Sequence, residues 1–256
     1  MVWFGKQHYA KHFKEQTFLK MINLNIIIRK VAVAIVLFHH SVFAQHVEVY
    51  TEILPPFQIM VAKQLVGTAT EQVEQLLADA QLSYDIHVVP WARAYNTVKT
   101  TPNTLIYSMN RTAEREPYFF WIKRLGQIGN SFISLSNNKQ NLSSIADAKN
   151  YVTAAVRDGY AYELLIELGF TIDKNLFVVA TLEQQISLLL NGKIDFLFTD
   201  IQSVKLALAA QQLDPAMVSI SYSEPTWIHD LYLAANIDSD PELLQQIGKV
   251  YSAQLP

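Results

Sequence analysis

Short apolar runs alternate with segments of helical period from Val47 almost to the end of the chain, and no other feature constrains the fold as strongly. His46–Tyr50 alternates apolar and polar residues, as a half-buried strand does. Thr68-Ala-Thr-Glu71 reads as a capping box, opening a helix with Val73, Leu76, Leu77 and Ala80 on one face. Tyr84–Val89 is the next strand, stopped by Pro90; Trp91–Lys99 fits a short helix, and Thr104–Met109 a third strand. Such a β-α-β-α-β series needs crossover connections, so it predicts a largely parallel sheet with helices on both faces.

A second series follows. Gly129–Leu135, Tyr151–Val156, Leu176–Val179 and Ile194–Phe198 read as strands. Between them Asn137–Ser144 is a polar loop, and Tyr160–Leu168 is a helix closed by Gly169. Thr181-Leu-Glu-Gln184 is another capping box, whose helix ends at Asn191-Gly192. Val204–Gln211 is a further helix, Val218–Ser221 and Leu231–Ala234 are strands, and Asp240-Pro241 supplies the N-cap and N1 of a last helix. Two such series fit one large sheet or two lobes, and periodicity leaves both open. In either case ligands bind at strand C-terminal ends, beside helix N-termini.

Several residues stand at those ends. Arg115, after the Thr104–Met109 strand, can offer a planar fork to a carboxylate, or pair at the surface with Glu114 or Glu116. Thr112 can cap the turn between them. Asp200 can meet an ammonium or simply cap the next helix. Asp158-Gly159-Tyr160 can face an anion or form a plain tight turn. Phe57 follows Pro55-Pro56, which stiffens its loop and suggests an exposed platform. There is no P-loop, G-x-G-x-x-G, G-x-S-x-G or H-E-x-x-H motif. Beyond residue 44 only His46, His87 and His229 occur, with no evident metal-ligand spacing, and His87 reads as structural. No metal or cofactor is expected. With no cysteine, disulfides and thiolate sites are excluded.

The charge is unevenly placed. The whole chain carries a formal −3, which gives nucleic acid little support as a partner; residues 1–44 hold six of the 20 Lys/Arg and one acid, leaving 14 basic and 22 acidic residues behind them, a net −8. Arg29-Lys30, the apolar run Val31–Phe38 and Val42-Phe43-Ala44 have the layout of a secretory signal cut after Ala44, with Met21 as a plausible true start. Eight apolar residues stopped by His39-His40 are too few for a membrane span, which takes about 20. The expectation is a cleaved, periplasmic protein.

The ordered pieces together resemble the family 3 solute-binding proteins of bacterial ABC importers, the polar amino-acid binders. Pro55-Pro-Phe57 resembles their early aromatic loop, and Gly67-Thr-Ala-Thr-Glu71 the glycine and acid that open their first helix, with Glu where Asp is usual. Val89-Pro-Trp91 resembles the segment before their second helix. Ser108-Met-Asn-Arg-Thr-Ala-Glu-Arg115 matches their Gly-Met-Thr-x-Thr-x-Glu-Arg segment in register. Leu190–Asp200 resembles their Asn-Gly-x-x-Asp-x-x-x-x-Asp segment. The likeness runs from Val47 to Gln246.

The resemblance implies a two-lobed α/β fold with two crossovers: lobe one from 45–130 plus 226–256, lobe two from 131–225. It implies a monomer that hands a small polar solute to an ABC permease. Arg115 would hold the ligand's α-carboxylate, Asp200 its α-ammonium, and Phe57 and Trp91 the cleft wall, with Asn110, Tyr160 and Glu71 also at the site. Tyr160 replaces a usual Ser or Thr, and Arg111 fills a usually apolar position, which leaves room for anionic solutes other than amino acids. The chain stops at Gln254-Leu-Pro256, where the family usually has a further turn or helix. The alternatives are a sensor acting on a membrane signalling partner, and an enzyme resembling cyclohexadienyl dehydratases with Glu71 or Asp200 as acid.

Overall fold

A computed structural model describes residues 46–138, 140 and 142–253. The expected signal segment, the cut after Ala44 and the last three residues lie outside the described residues.

The chain builds two five-stranded sheets. The first contains β1 (His46–Thr51), β4 (Ser83–Val88), β5 (Thr104–Asn110), β6 (Phe119–Gly129) and β12 (Ile228–Asn236), in the order β4-β1-β5-β12-β6. The second contains β7 (Ser131–Leu135), β8 (Thr153–Val156), β9 (Leu176–Val179), β10 (Phe196–Thr199) and β11 (Val218–Tyr222), in the order β11-β7-β10-β8-β9. In each sheet four strands run one way and the fourth from one edge opposes them: β12 in the first, β7 in the second. Both opposing strands are the ones by which the chain enters that sheet from the other. The two passages lie side by side, joined where the Asn130 amide donates to the Trp227 carbonyl (3.0 Å). The segment expected as one strand, Gly129–Leu135, is therefore split at Asn130 between two sheets.

Helices cover both faces of each sheet. In the first, α1 (Thr68–Asp79) and α7 (Pro241–Ala253) bury Val73, Leu76, Leu243 and Ile247 against Val47, Val49, Leu105 and Tyr107. On the opposite face α2 (Trp91–Thr100) packs Trp91, Ala94 and Val98 on Ile106, Met109 and Ala234. In the second sheet, α5 (Leu182–Leu190) and α6 (Ile201–Ala210) cover Ile133, Ala154 and Leu197. The short α3 (Ile145–Ala148) and α4 (Tyr160–Glu167) lie with the aromatic cluster of Phe132, Phe170, Phe196, Phe198 and Trp227. After α4, Gly169 at φ +86° and the bonds Gly169 N–H to Ile166 O and Phe170 N–H to Leu165 O form a Schellman closure, as the sequence predicts.

Two local readings are corrected. Helix α1 is capped by Gly67, not Thr68, and no side chain closes its N-terminus. Its first amides instead donate to the loop before it: Thr68 to Pro56 O (3.3 Å), Ala69 and Thr70 to Phe57 O (2.9 and 3.3 Å). Gly67 permits this approach, because it sits at φ +129° and a Cβ there would lie 2.5 Å from Phe57 O. The sequence reading also missed β6 and the hairpin of β2 (Ile59–Val61) and β3 (Gln64–Val66).

Candidate functional site

A cavity opens between the C-terminal ends of the parallel strands of both sheets, the position such folds reserve for ligands. From the first sheet come Glu52, just past β1, Ser108 and Asn110 of β5, and Trp91 at the start of α2. From the second come Tyr160, Gln185 of α5 and Thr199 of β10. The cavity measures about 70 Å³. A bulge in β5 aims its end at this space: Ser108 sits at φ +61°, where the register against β12 slips by a residue.

The two sheets are bonded to each other around the cavity. The Trp91 indole donates to the Asp158 carbonyl (2.8 Å), and the Ser203 hydroxyl to the Pro55 carbonyl (2.5 Å). Tyr160 and His229 of β12 meet at 2.6 Å through hydroxyl and Nε2. Burial holds His229 below the ordinary histidine value, which favours the neutral imidazole in this contact.

Arg115 adds an ion pair to these links. Its guanidinium is wholly buried and donates to Glu163 Oε1 of α4 (2.8 Å), to the Asp158 carbonyl (3.2 Å) and to the Asn110 carbonyl (3.1 Å). The neighbours expected as surface partners do not reach it; Glu116 pairs with Arg111 instead (2.5 Å). The carboxylate on Arg115 is thus the protein's own, from the other sheet. Burial pushes the Glu163 carboxyl up, and Arg115 opposes that. Arg115 Nε is buried without a partner. Thr112 closes its turn through its carbonyl, while its hydroxyl is buried and unpaired.

The other expected site residues divide. Trp91, Asn110 and Tyr160 line the cavity, whereas Arg115, Asp200, Phe57 and Glu71 do not. Asp200 is the N-cap of α6, accepting from the Ser203 amide (2.8 Å). Phe57 packs its ring over Gly126 and against the core of the first sheet, which makes it a structural anchor rather than a platform. Glu71 is exposed on the first turn of α1.

Two cavity residues were not singled out in the sequence. Glu52 is partly buried at the cavity wall, and its carboxyl has no hydrogen-bond or ion-pair partner among the described residues. Burial, with the negative charge of Glu183 on α5 adding to it, raises its pKa to about 8. Gln185 is buried; its amide nitrogen donates to the Ala154 carbonyl (2.8 Å), and its Oε1 has no partner. A carboxyl and an amide oxygen, both unpaired, call for a ligand that brings hydrogen-bond donors and positive charge. The position of Glu52 directly after a strand could have flagged it; nothing in the sequence marks Gln185.

No family model and no curated protein sequence matches the chain. Solved structures do match in fold. One is a histidine kinase sensor domain with similarity to periplasmic binding proteins (TM-score 0.70, 14% identity, covering 82% of this chain and 89% of that one). Another is the arginine-, lysine-, histidine-binding protein ArtJ of Geobacillus stearothermophilus (TM-score 0.68, 16% identity, 82% and 89%). A third is the substrate-binding protein of an amino acid ABC transporter (TM-score 0.67, 14% identity, 81% and 92%). The chain therefore has the two-lobed α/β architecture of periplasmic binding proteins, and its structural neighbours include amino-acid-binding proteins.

Proposed function

We propose that this protein is a periplasmic solute-binding protein that captures a small amino-acid-like solute between its lobes, without catalysis, and delivers it to an ABC permease. The observation that carries this reading is a Glu52 carboxyl without a protein partner facing the same cavity as the buried, unpartnered Gln185 Oε1, at the strand ends of both sheets. The ligand's cationic group would sit against Glu52, with Trp91 and Tyr160 flanking it. A ligand carboxylate would reach Arg115 only by displacing Glu163. The roles the family resemblance gives to Arg115 and Asp200 thus become specific proposals: Arg115 binds ligand in exchange for Glu163, and Asp200 acts by holding α6 in place beside the cavity. Because the same contacts join the lobes, a ligand that bridges them favours the closed form.

The test is a thermal-shift panel of amino acids, the amines obtained by decarboxylating them, and small organic acids. A true ligand at 100 times its dissociation constant adds about 2.7 kcal/mol of stability. Stabilisation by cation-bearing compounds is expected. Stabilisation by organic acids alone would refute the role of Glu52, and no response to any compound would refute solute binding. Mass spectrometry of the recovered ligand, expected unchanged, checks the absence of turnover.

A second reading is ligand sensing for a membrane partner, favoured by the structural likeness to a histidine kinase sensor domain. Cross-linking in cells separates the two: capture of a permease supports transport, capture of a kinase supports sensing.

A further inference from the structure

At the end of the first sheet opposite the cavity, four potential metal ligands share one face. His46 and Glu48 alternate on β1, Asp85 and His87 alternate on β4, and the two strands pair in parallel with Glu48 beside Asp85 and His87 beside Tyr50. The sequence reading found no metal-ligand spacing among the histidines. The cluster holds one histidine with two carboxylates, brought together from two strands that lie 37 residues apart in the chain at the His46–Ser83 pair.

The geometry at His46 is specific. Its Nε2 lies 3.2 Å from Glu48 Oε1 and 3.4 Å from Asp85 Oδ2. For a tetrahedral zinc ion with nitrogen and oxygen ligands at 2.0–2.2 Å, adjacent ligand atoms stand about 3.3 Å apart. His46 Nδ1 is 3.2 Å from the Ser83 hydroxyl. Nε2 is then the ring nitrogen that faces the two carboxylate oxygens, and with Nδ1–H donated to Ser83 its lone pair is open to a cation placed among them. Zinc-bound histidines hold their second ring nitrogen in this way. His87 Nε2 is hydrogen-bonded to the other oxygen of Glu48, which fixes that carboxylate's orientation from behind. His87 is itself stacked on Tyr50, with ring centroids 4.9 Å apart. Two carboxylates and a neutral imidazole carry a charge of about −2, the complement of a divalent ion, and mixed nitrogen and oxygen donors suit zinc better than magnesium or calcium.

We propose that His46, Glu48 and Asp85 bind a zinc-class divalent cation, with His87 positioning Glu48 and the exposed fourth coordination site left to water. The ion staples β1 to the edge strand β4 and stands apart from the ligand cavity, because His46 begins the strand that Glu52 follows. The site does not depend on the function proposed above.

Calorimetric titration of the purified protein with zinc chloride, in a non-chelating buffer at pH 7.5, is the test. The His46→Ala and Asp85→Asn variants are compared with the wild type. All three should melt alike without metal, since the side chains are exposed or partly so. The wild type should show one site whose affinity falls at least tenfold in both variants, and His87→Ala should weaken it by roughly 10–100-fold, as loss of an outer hydrogen-bonding partner does. Zinc should raise the melting temperature of the wild type and not of His46→Ala. No zinc heat in the wild type, or isotherms that coincide between wild type and His46→Ala, would overturn the proposal and leave a protonated His46 held by two carboxylates.

Discussion

Replacing Glu52 by Gln should make the ligand-free protein more stable, by an amount that grows with pH. An acid whose folded pKa lies above its unfolded value holds its proton more tightly when folded. The stability tied to that proton is present below the ordinary value and is lost as pH rises through the folded one. For Glu52 the two values are 4.5 and about 8, so the loss spans that interval. At about 1.36 kcal/mol per pH unit, full ionisation costs the folded protein at most about 5 kcal/mol, and water reaching this partly buried carboxyl lowers that figure. Gln cannot ionise and keeps nearly the same shape. The wild type should therefore trail Glu52→Gln by up to about 1 kcal/mol at pH 5, up to about 3 at pH 7 and up to about 5 at pH 9. Opening the lobes would hydrate the carboxylate, so the deficit levels off at the free energy of opening if that is smaller. Urea denaturation of both proteins at the three pH values measures it, and titrating groups not coupled to Glu52, as Glu183 is, cancel in the difference. Parallel stability profiles, separated by less than about 0.5 kcal/mol change between pH 5 and 9, would refute the reasoning and place Glu52 in water.

Other changes test other parts of the account. Glu163→Gln removes the only carboxylate that reaches the buried Arg115 among the described residues, with its own side chain 29% exposed. It should cost about 1–3 kcal/mol in urea denaturation, less than the 3–5 typical of fully buried pairs, and an unchanged midpoint would show that the pair holds nothing together. Gly67→Ala places a Cβ 2.5 Å from Phe57 O at φ +129° and should lower the unfolding free energy in urea by about 3 kcal/mol or more; a loss of under about 1 kcal/mol would mean the loop yields freely.

The main architecture was legible because alternation and capping survive in the local sequence. Thr181 is the N-cap of α5, accepting from the Gln184 amide (3.3 Å), and Asp240 caps α7 as its Asp-Pro pair predicts. Strand β6 was not legible, for a physical reason. Its register against β12 slips twice, so Phe119, Ile122, Leu125 and Ile128 are buried at every third position instead of every second. The β2–β3 hairpin turns at Ala62 and Lys63, both at positive φ, where Asn-Gly would have signalled it. At the site, position after a strand drew attention to Arg115 and Asp200, yet their partners could not be read locally. Arg115 meets a carboxylate 48 residues away, and Asp200 is occupied by Ser203 three residues on. The His46–Glu48–Asp85 cluster stayed hidden for the same reason, since only strand pairing brings Asp85 to His46.

The central claim is that Glu52 meets a ligand's cation inside the interlobe cavity. Its most direct test is calorimetry of the best compound from the panel against wild type and Glu52→Gln, repeated at pH 7 in two buffers of different ionisation enthalpy. A cation that draws Glu52 into its charged form must displace the proton which a pKa of about 8 keeps there. Close to one proton released per ligand bound is expected in the wild type, with affinity at least tenfold weaker and no release in Glu52→Gln. Equal affinity in the two proteins, with no proton released by either, would contradict the claim.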